Sequence, residues 1–574
     1  MAAQGLTMRR AMAALSILSA AGVPAEAYAG GAAAAGSVLQ LCAAPQGATA
    51  QEGLLTHPDG RLLQVRWRAA SAALPSCASL PLPVAPAAVT AVHALTSAQA
   101  ASLAGTLLVQ MDAGGARIAS VESGAEAPRQ DRQAMPVREN LLPLLTARPY
   151  GVEERLTAEL KEGRLRIDCH AGSKPAGLLL AGPWYLPAAA MRLHAAASPS
   201  SAAGAAFVLG VADAARAARE DAAAIGALGN ETSFALPARL DGASWQHFSI
   251  ACPEQAAQLE LASLSLQPLP GKEAGRSAWV WQSRQWMEEG DSVLAWAARH
   301  GLRTLFLAVP LTAAADGLAV AQPERLAAFA RRAAAQGIAI WPVDGDPRMV
   351  LENEQAATLA RLRAYAAYNA AADAPARLRG VQFDIEHYLL PGYERAAAEL
   401  DRAYLALLRG LRREAGGLAL EFVVPFWWSG KSALLAGLAE HASGVAVMDY
   451  RTDPAQIRRF AQPFLDWGVA HKKQVRVALE AGYLPPELQR RYARADAGEA
   501  WLVQLDGVPL LVLLKSAQAN PHGASFRLQS ERVLDGSATT FHTDPAALLR
   551  LLPALEADFS AWPSFNGIAL HELK

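Results

Sequence analysis

The chain has few of the features that mark several large classes of protein. It holds four cysteines in 574 residues, all in the first half. No CxxC pair and no cluster of His and Cys occurs, so metal-site spacing is missing and neither metal nor cofactor is expected. Runs of Lys and Arg stop at two or three residues, and the formal net charge is -1. A nucleic-acid binder normally shows a basic stripe, so no nucleic-acid partner is expected. No Gly-rich phosphate loop, nucleophile elbow or reactive-cysteine motif is found. After the N-terminal segment no stretch is apolar and long enough to span a membrane. What is abundant is hydrophobic material, 52% against 18% charged residues, which is enough for more than one core.

The N-terminus has the pattern of an export signal. Arg9 and Arg10 precede an apolar run from Ala11 to Val23, and Ala27-Tyr28-Ala29 offers a small-x-small cleavage site before Gly30. Residues 1–29 are therefore expected to be a signal peptide, with the mature chain periplasmic or secreted. Even cysteine numbers in an exported chain favour disulfides. Of three connectivities, Cys42–Cys77 and Cys169–Cys252 are preferred, since each pair then stays within one expected module.

Those modules follow from pattern changes. Residues 30–150 are Ala/Pro-rich with short alternating runs such as Leu62–Trp67, expected as a small β-rich module. Residues 151–270 carry alternating runs at Arg164–Cys169, Phe207–Val211, Trp245–Ile250 and Leu259–Leu266, the spacing of an antiparallel sandwich. This region resembles the jelly-roll accessory domains of carbohydrate-active enzymes. After the polar linker Gly271–Arg276, strands alternate with Ala/Leu/Arg-rich helices, the mark of a parallel α/β fold. Eight strands can be counted: Trp279–Gln282, Thr304–Val309, Ile338–Val343, Gly380–Glu386, Leu418–Val424, Gly444–Asp449, Val475–Leu479 and Asn566–His571. Eight in about 300 residues (277–574) is the count of a (β/α)8 TIM barrel. An insertion at about 484–540, after strand seven, includes a hairpin with an Asp506-Gly507 turn.

Active sites of such barrels lie at the C-terminal strand ends. Strand four ends with Gln382, Asp384 and Glu386 on one face and Val381, Phe383 and Ile385 on the other. Polar residues on a parallel strand are costly unless they line a site. Two carboxylates so close also repel, which holds a proton on one of them, as a general acid requires. Strand six delivers Asp449 and Tyr450, strand seven Glu480, and strand eight His571 and Glu572. Asp344 and Asp346 follow strand three, where a tight turn explains them equally well. Trp281 at strand one and Trp427 and Trp428 after strand five supply flat faces on which sugar rings stack.

With these residues in place, the C-terminal half resembles family 18 glycoside hydrolases, the chitinase-like enzymes. Their fourth strand reads D-G-x-D-x-D-x-E. Gly380, Asp384 and Glu386 match it, while Arg379 and Gln382 stand where the family has aspartates. Met448 and Tyr450 match the sixth-strand M-x-Y, and the insertion after strand seven is also shared. The resemblance implies an exported hydrolase of a polysaccharide or oligosaccharide with Glu386 as general acid. Asp384 would assist beside it, and Tyr450 would bond near the anomeric centre. Substrate contacts would come from Gln382, Asp449, His571, Glu572 and the three tryptophans. A second reading takes Glu480 as the carboxylate nucleophile of a retaining glycosidase, about 5 Å from Glu386. A third is a non-catalytic, lectin-like barrel of the cell envelope, in which Glu386 would be locked in an ion pair under a covered mouth.

Overall fold

The structure, a computed structural model, describes residues 36–43, 54–56, 62–69, 77–95, 100, 106–112, 115–122, 133–182, 184–201, 206–212, 222–236, 245–315, 317–390 and 393–573. The expected signal peptide lies outside the described residues. No helix among them is long and apolar enough to cross a membrane.

The C-terminal half is a closed barrel of eight parallel strands. In order they are Arg276–Val280, Leu302–Ala308, Ala339–Asp344, Gly380–Phe383, Ala419–Pro425, Gly444–Met448, Gln474–Glu480 and Phe565–His571. All eight overlap the runs counted in the sequence, although the first begins earlier, at Arg276, and the fourth ends at Phe383, before Asp384 and Glu386. Alternation sorts each strand into two layers. Trp279, Phe306, Val343, Val423, Ala446, Met448, Ala478 and Ala569 fill the barrel interior. Their neighbours, such as Val381, Phe383, Val445, Val447 and Val477, face the helices. The helix Pro323–Ala335 illustrates the match between pattern and packing. Proline occupies its first turn, and Leu326, Phe329, Ala330 and Ala333 bury one stripe against the barrel. The last helix, Pro545–Phe559, precedes strand eight and is capped by the Asp544 carboxylate, which accepts from Ala547 N at 2.9 Å.

Two five-stranded antiparallel sheets precede the barrel. The Cys169–Cys252 disulfide joins the end of Arg164–Cys169 in one sheet to the residue after His247–Ala251 in the other, so it staples the sandwich. The sandwich packs against the helices flanking the last barrel strands. Asp558 takes Arg138 at 2.7 Å and Arg458 at 2.8 Å, Gln462 donates to the Met135 carbonyl at 2.6 Å, and Asp466 accepts from Ala188 N at 2.7 Å.

Nearer the N-terminus, Ser37–Ala43 lies between Leu62–Ala69 and Ala78–Leu82 in a four-stranded sheet, where Cys42 and Cys77 are bonded. The insertion after barrel strand seven forms Glu487–Ala495, Ala497–Leu505, Val508–Ala519 and Ser525–Leu534, with the expected turn at Asp506-Gly507. These four strands are the centre of a seven-stranded sheet whose flanks come from far upstream. Val89–Ala94 pairs with Val508–Ala519, and Thr106–Asp112 pairs with Glu487–Ala495, with Gly115–Glu122 outermost. Leu39, Leu41, Val65 and Trp67 pack onto this sheet against Trp501, Val503, Leu510 and Val512. The stretch 30–150 thus contributes strands to the four-stranded sheet, to the seven-stranded sheet and, through Thr146–Gly151, to the sandwich.

Candidate active site

The barrel mouth stands on a buried polar network. Gln382 accepts from Trp279 Nε1 at 2.6 Å and donates to Glu421 at 2.7 Å; Glu421 takes Arg476 Nε at 3.1 Å, and Arg476 donates to the Asn566 carbonyl at 2.8 Å. Gln382 was expected to touch a ligand. It is fully buried with its amide engaged on both sides, and so belongs to the floor. Glu421 and Arg476 were missed by the sequence reading, although each is a polar residue inside an apolar parallel strand, the signal used for strand four. Gly380 fits the same interior for a steric reason: a Cβ there would collide with the Trp341 ring and the Ala419 carbonyl.

Above this floor, Asp384 is 7% exposed and its Oδ1 has no hydrogen-bond partner among the described residues. Glu386 is half-buried and follows the strand, where the chain turns into a short helix at His387–Leu389. Its Oε2 accepts a hydrogen bond from the Tyr388 hydroxyl. Burial, with the Asp384 charge adding to it, pushes the Glu386 carboxyl up to about 8, against the smaller opposing effects of Tyr388 and His571. Burial raises Asp384 to about 6, with His571 opposing. The two carboxyls titrate together, one ionising before the other.

Glu480 and His571 form a second cluster. Glu480 is fully buried; its Oε1 accepts from Gly482 N and its Oε2 pairs with His571 Nδ1 at 2.7 Å. A side chain at Gly482 would run into Glu480 and Glu572, so only glycine lets that amide approach. Trp281 Nε1 lies 2.9 Å from His571 Nε2. An indole N–H only donates, so Nε2 is the acceptor and Nδ1 carries the hydrogen to Glu480. Burial opposes the imidazolium, but Glu480, Glu572 and Asp384 outweigh it and raise the His571 pKa. Trp281 is thus held by its nitrogen with part of its ring exposed.

Tyr450 lies in the same cluster. Its ring centroid is 6.1 Å from that of His571, and burial, reinforced by Glu480, Asp384 and Glu386, raises its pKa well above the ordinary value. Glu572 is half-buried in the left-handed region at φ 52°. Two expectations need correction. Asp449 is fully buried with both carboxylate oxygens unpaired among the described residues, because alternation turns it away from Met448 and Tyr450 toward the outer layer. Burial lifts its pKa well above the carboxylate range. Trp428 is fully buried against His387, Tyr388 and Tyr404, whereas Trp427 is 38% exposed. Of the adjacent tryptophans only Trp427 can meet a ligand, and its ring stands edge-on to Tyr388 at 5.1 Å. Asp344 is tied up by Arg361 and Tyr365, and Asp346 caps a short helix through Arg348 N. No group of three or more His, Cys, Asp and Glu among the described residues could hold a metal ion.

No protein-family model matches the chain, and no curated protein does. Among solved structures, a family 18 chitinase from Cycas revoluta in complex with (GlcNAc)3 is 14% identical, covering 52% of this chain and 94% of that one, with a TM-score of 0.28. The CBM22-1–GH10 modules of xylanase 10B from Clostridium thermocellum, complexed with xylohexaose, are 10% identical over 62% of this chain and 83% of theirs, with a TM-score of 0.26. The xylan-binding module CBM86 from Roseburia intestinalis matches 21% of this chain and 95% of its own length at 12% identity and a TM-score of 0.16. The C-terminal half is a closed barrel of eight parallel strands. Likeness at this level assigns neither substrate nor reaction.

Proposed function

We propose that the protein is a glycoside hydrolase acting on a polysaccharide or oligosaccharide, with Glu386 as general acid and Asp384 as its charged partner. The observation that carries this reading is the state of Glu386. Glu386 stands half-buried at the end of barrel strand four with Oε2 on the Tyr388 hydroxyl, beside a buried Asp384 whose Oδ1 is unpartnered among the described residues, and burial together with the Asp384 charge favours its protonated form. In the reaction the Glu386 proton goes to the glycosidic oxygen as the C–O bond breaks and its electron pair leaves with that oxygen. Asp384 then lies beside the developing positive charge, or beside a substrate group that shields it. Water adds to the anomeric carbon and returns a proton to Glu386. Tyr450 hydrogen-bonds near that carbon, and Trp281 and Trp427 offer exposed ring faces to sugar units.

The competing readings find less support. A retaining nucleophile needs a free carboxylate oxygen facing the substrate. Glu480 is fully buried with both oxygens engaged, which fits a role in orienting His571 and Trp281. A non-catalytic barrel would have Glu386 in an ion pair, but its hydrogen-bond partner is the neutral Tyr388 hydroxyl.

The test is reducing-end release from a panel of chitin oligomers, xylans and bacterial exopolysaccharides, with wild type and Glu386→Gln. Removing a general acid is expected to reduce turnover by about 10²–10⁴-fold while binding persists. The rate should be bell-shaped with limbs near 6 and 8. Equal inactivity of both proteins, with binding to one glycan intact, would move the assignment to the lectin-like reading.

A further inference from the structure

We propose that Tyr388 is a positioning residue that dictates which oxygen of Glu386 delivers the proton: by donating its hydroxyl hydrogen to Oε2, it leaves Oε1 as the protonated, substrate-facing oxygen. This deepens the glycosidase reading and rests on it for its catalytic meaning.

The geometry has three parts. A carboxylic acid carries its hydrogen on one oxygen, and an oxygen that already accepts an O–H is the disfavoured place for it. Tyr388 donates to Oε2, while Oε1 accepts from none of the described residues. Second, the Tyr388 ring is fixed on several sides, with His387 at 6.3 Å, Trp427 at 5.1 Å and Trp428 at 6.2 Å between centroids. Third, those neighbours are themselves held. His387 is fully buried, stacks on Tyr404 at 4.7 Å and bonds Asp401 at 2.9 Å; Asp401 also takes Tyr393 at 3.0 Å and Lys431 at 3.2 Å. An acid whose orientation is set before substrate arrives loses less freedom on reaching the transition state.

The arrangement accounts for both halves of the reaction. When the Oε1 hydrogen passes to the glycosidic oxygen, the new carboxylate keeps the Tyr388 hydrogen bond on Oε2. Oε1 is then the free base that takes the proton from the attacking water. Trp427, the exposed ring edge-on to Tyr388, is a place where a bound sugar would press on this unit.

The test pairs Tyr388→Phe with fluorotyrosine at position 388, reading both the Glu386 titration and turnover. Carbon-13 labelling of glutamate side-chain carboxyls, with Glu386→Gln identifying the resonance, reports the titration without any substrate. Wild type is expected near 8. Loss of the hydroxyl should raise that midpoint by about 0.5–1 unit, the size of one hydrogen bond to the charged form. Fluorotyrosine, a stronger donor on the same ring, should lower it. With an active substrate, Tyr388→Phe should reduce kcat about tenfold with KM nearly unchanged, and the alkaline limb should move with the titration. A midpoint that moves in neither variant, or turnover lost with the pH profile unmoved, would overturn the proposal. If wild type cleaves no glycan, the hydrolase assignment fails, while the titration still decides whether Tyr388 governs Glu386.

Discussion

Replacing Glu386 with glutamine should make the protein more stable, and increasingly so as pH rises. The carboxyl titrates near 8 in the fold against an ordinary value of 4.5, so the native state keeps a proton that the unfolded chain releases between those values. A group that binds more protons when folded lowers stability with rising pH across that window. Glu386 therefore takes nothing away below about 4.5, and its full penalty is present above 8. At about 1.4 kcal/mol per unit, the 3.5-unit difference sets a ceiling of roughly 5 kcal/mol. Glutamine has no charge to bury and still offers an amide oxygen to the Tyr388 hydroxyl. For a barrel of this size each kcal/mol shifts Tm by about 2 °C, so the gain at pH 9 is at most roughly 10 °C and close to zero at pH 4.5. The assay is calorimetry of wild type and Glu386→Gln from pH 4.5 to 9 at one scan rate, following the barrel transition. A gain that is the same at both ends would mean that glutamine merely packs better, and no gain at pH 9 would refute the buried, protonated carboxyl altogether.

Two further outcomes concern the scaffold. Arg476→Met should cost about 3–5 kcal/mol by stranding the Glu421 carboxylate, whereas the double change Arg476→Met with Glu421→Leu should recover much of that loss in urea unfolding; equal losses in both proteins would show that the ion pair is not what holds the floor. Cys169→Ala with Cys252→Ala opens a disulfide of sequence separation 83, and chain entropy puts the loss at about 4.5 kcal/mol, checked as a lower urea midpoint for the sandwich with a steeper slope, since the unfolded chain is freed to expand.

Much of the barrel is legible in the sequence because each strand is an apolar run bounded by turn residues and followed by an amphipathic helix. Such local patterns give all eight strands and the strand-four carboxyls. Side-chain direction past a strand end is less legible. Gln382 and Asp384 share a face by alternation, yet depth decides that one sits in the floor and the other at the mouth. Trp427 and Trp428 are indistinguishable in sequence, but the short helix at Phe426–Gly430 sends one outward and one into the core. Asp449 follows an inward Met448 and so faces the outer layer, where no sequence rule anticipates a carboxyl without a partner among the described residues. The Tyr388 hydrogen bond depends on the chain turning into a helix directly after Glu386, which strand periodicity does not describe. The sheet shared by residues 89–122 and 487–534 is the least legible, because nothing local records which distant strand completes an edge.

That shared sheet has a consequence for how the chain is made. Its outer strands end at Glu122, and the strands they flank begin at Glu487, 365 residues later. At about 5–20 residues per second, the early strands are synthesised roughly 20–70 s before their neighbours exist. Throughout that interval they carry unmatched backbone edges, the feature on which chains most readily pair with the wrong partner. Holding those strands apart until the insertion arrives is a task for whatever accompanies the growing chain, and misassembled sheet is the product to look for when the protein is overproduced.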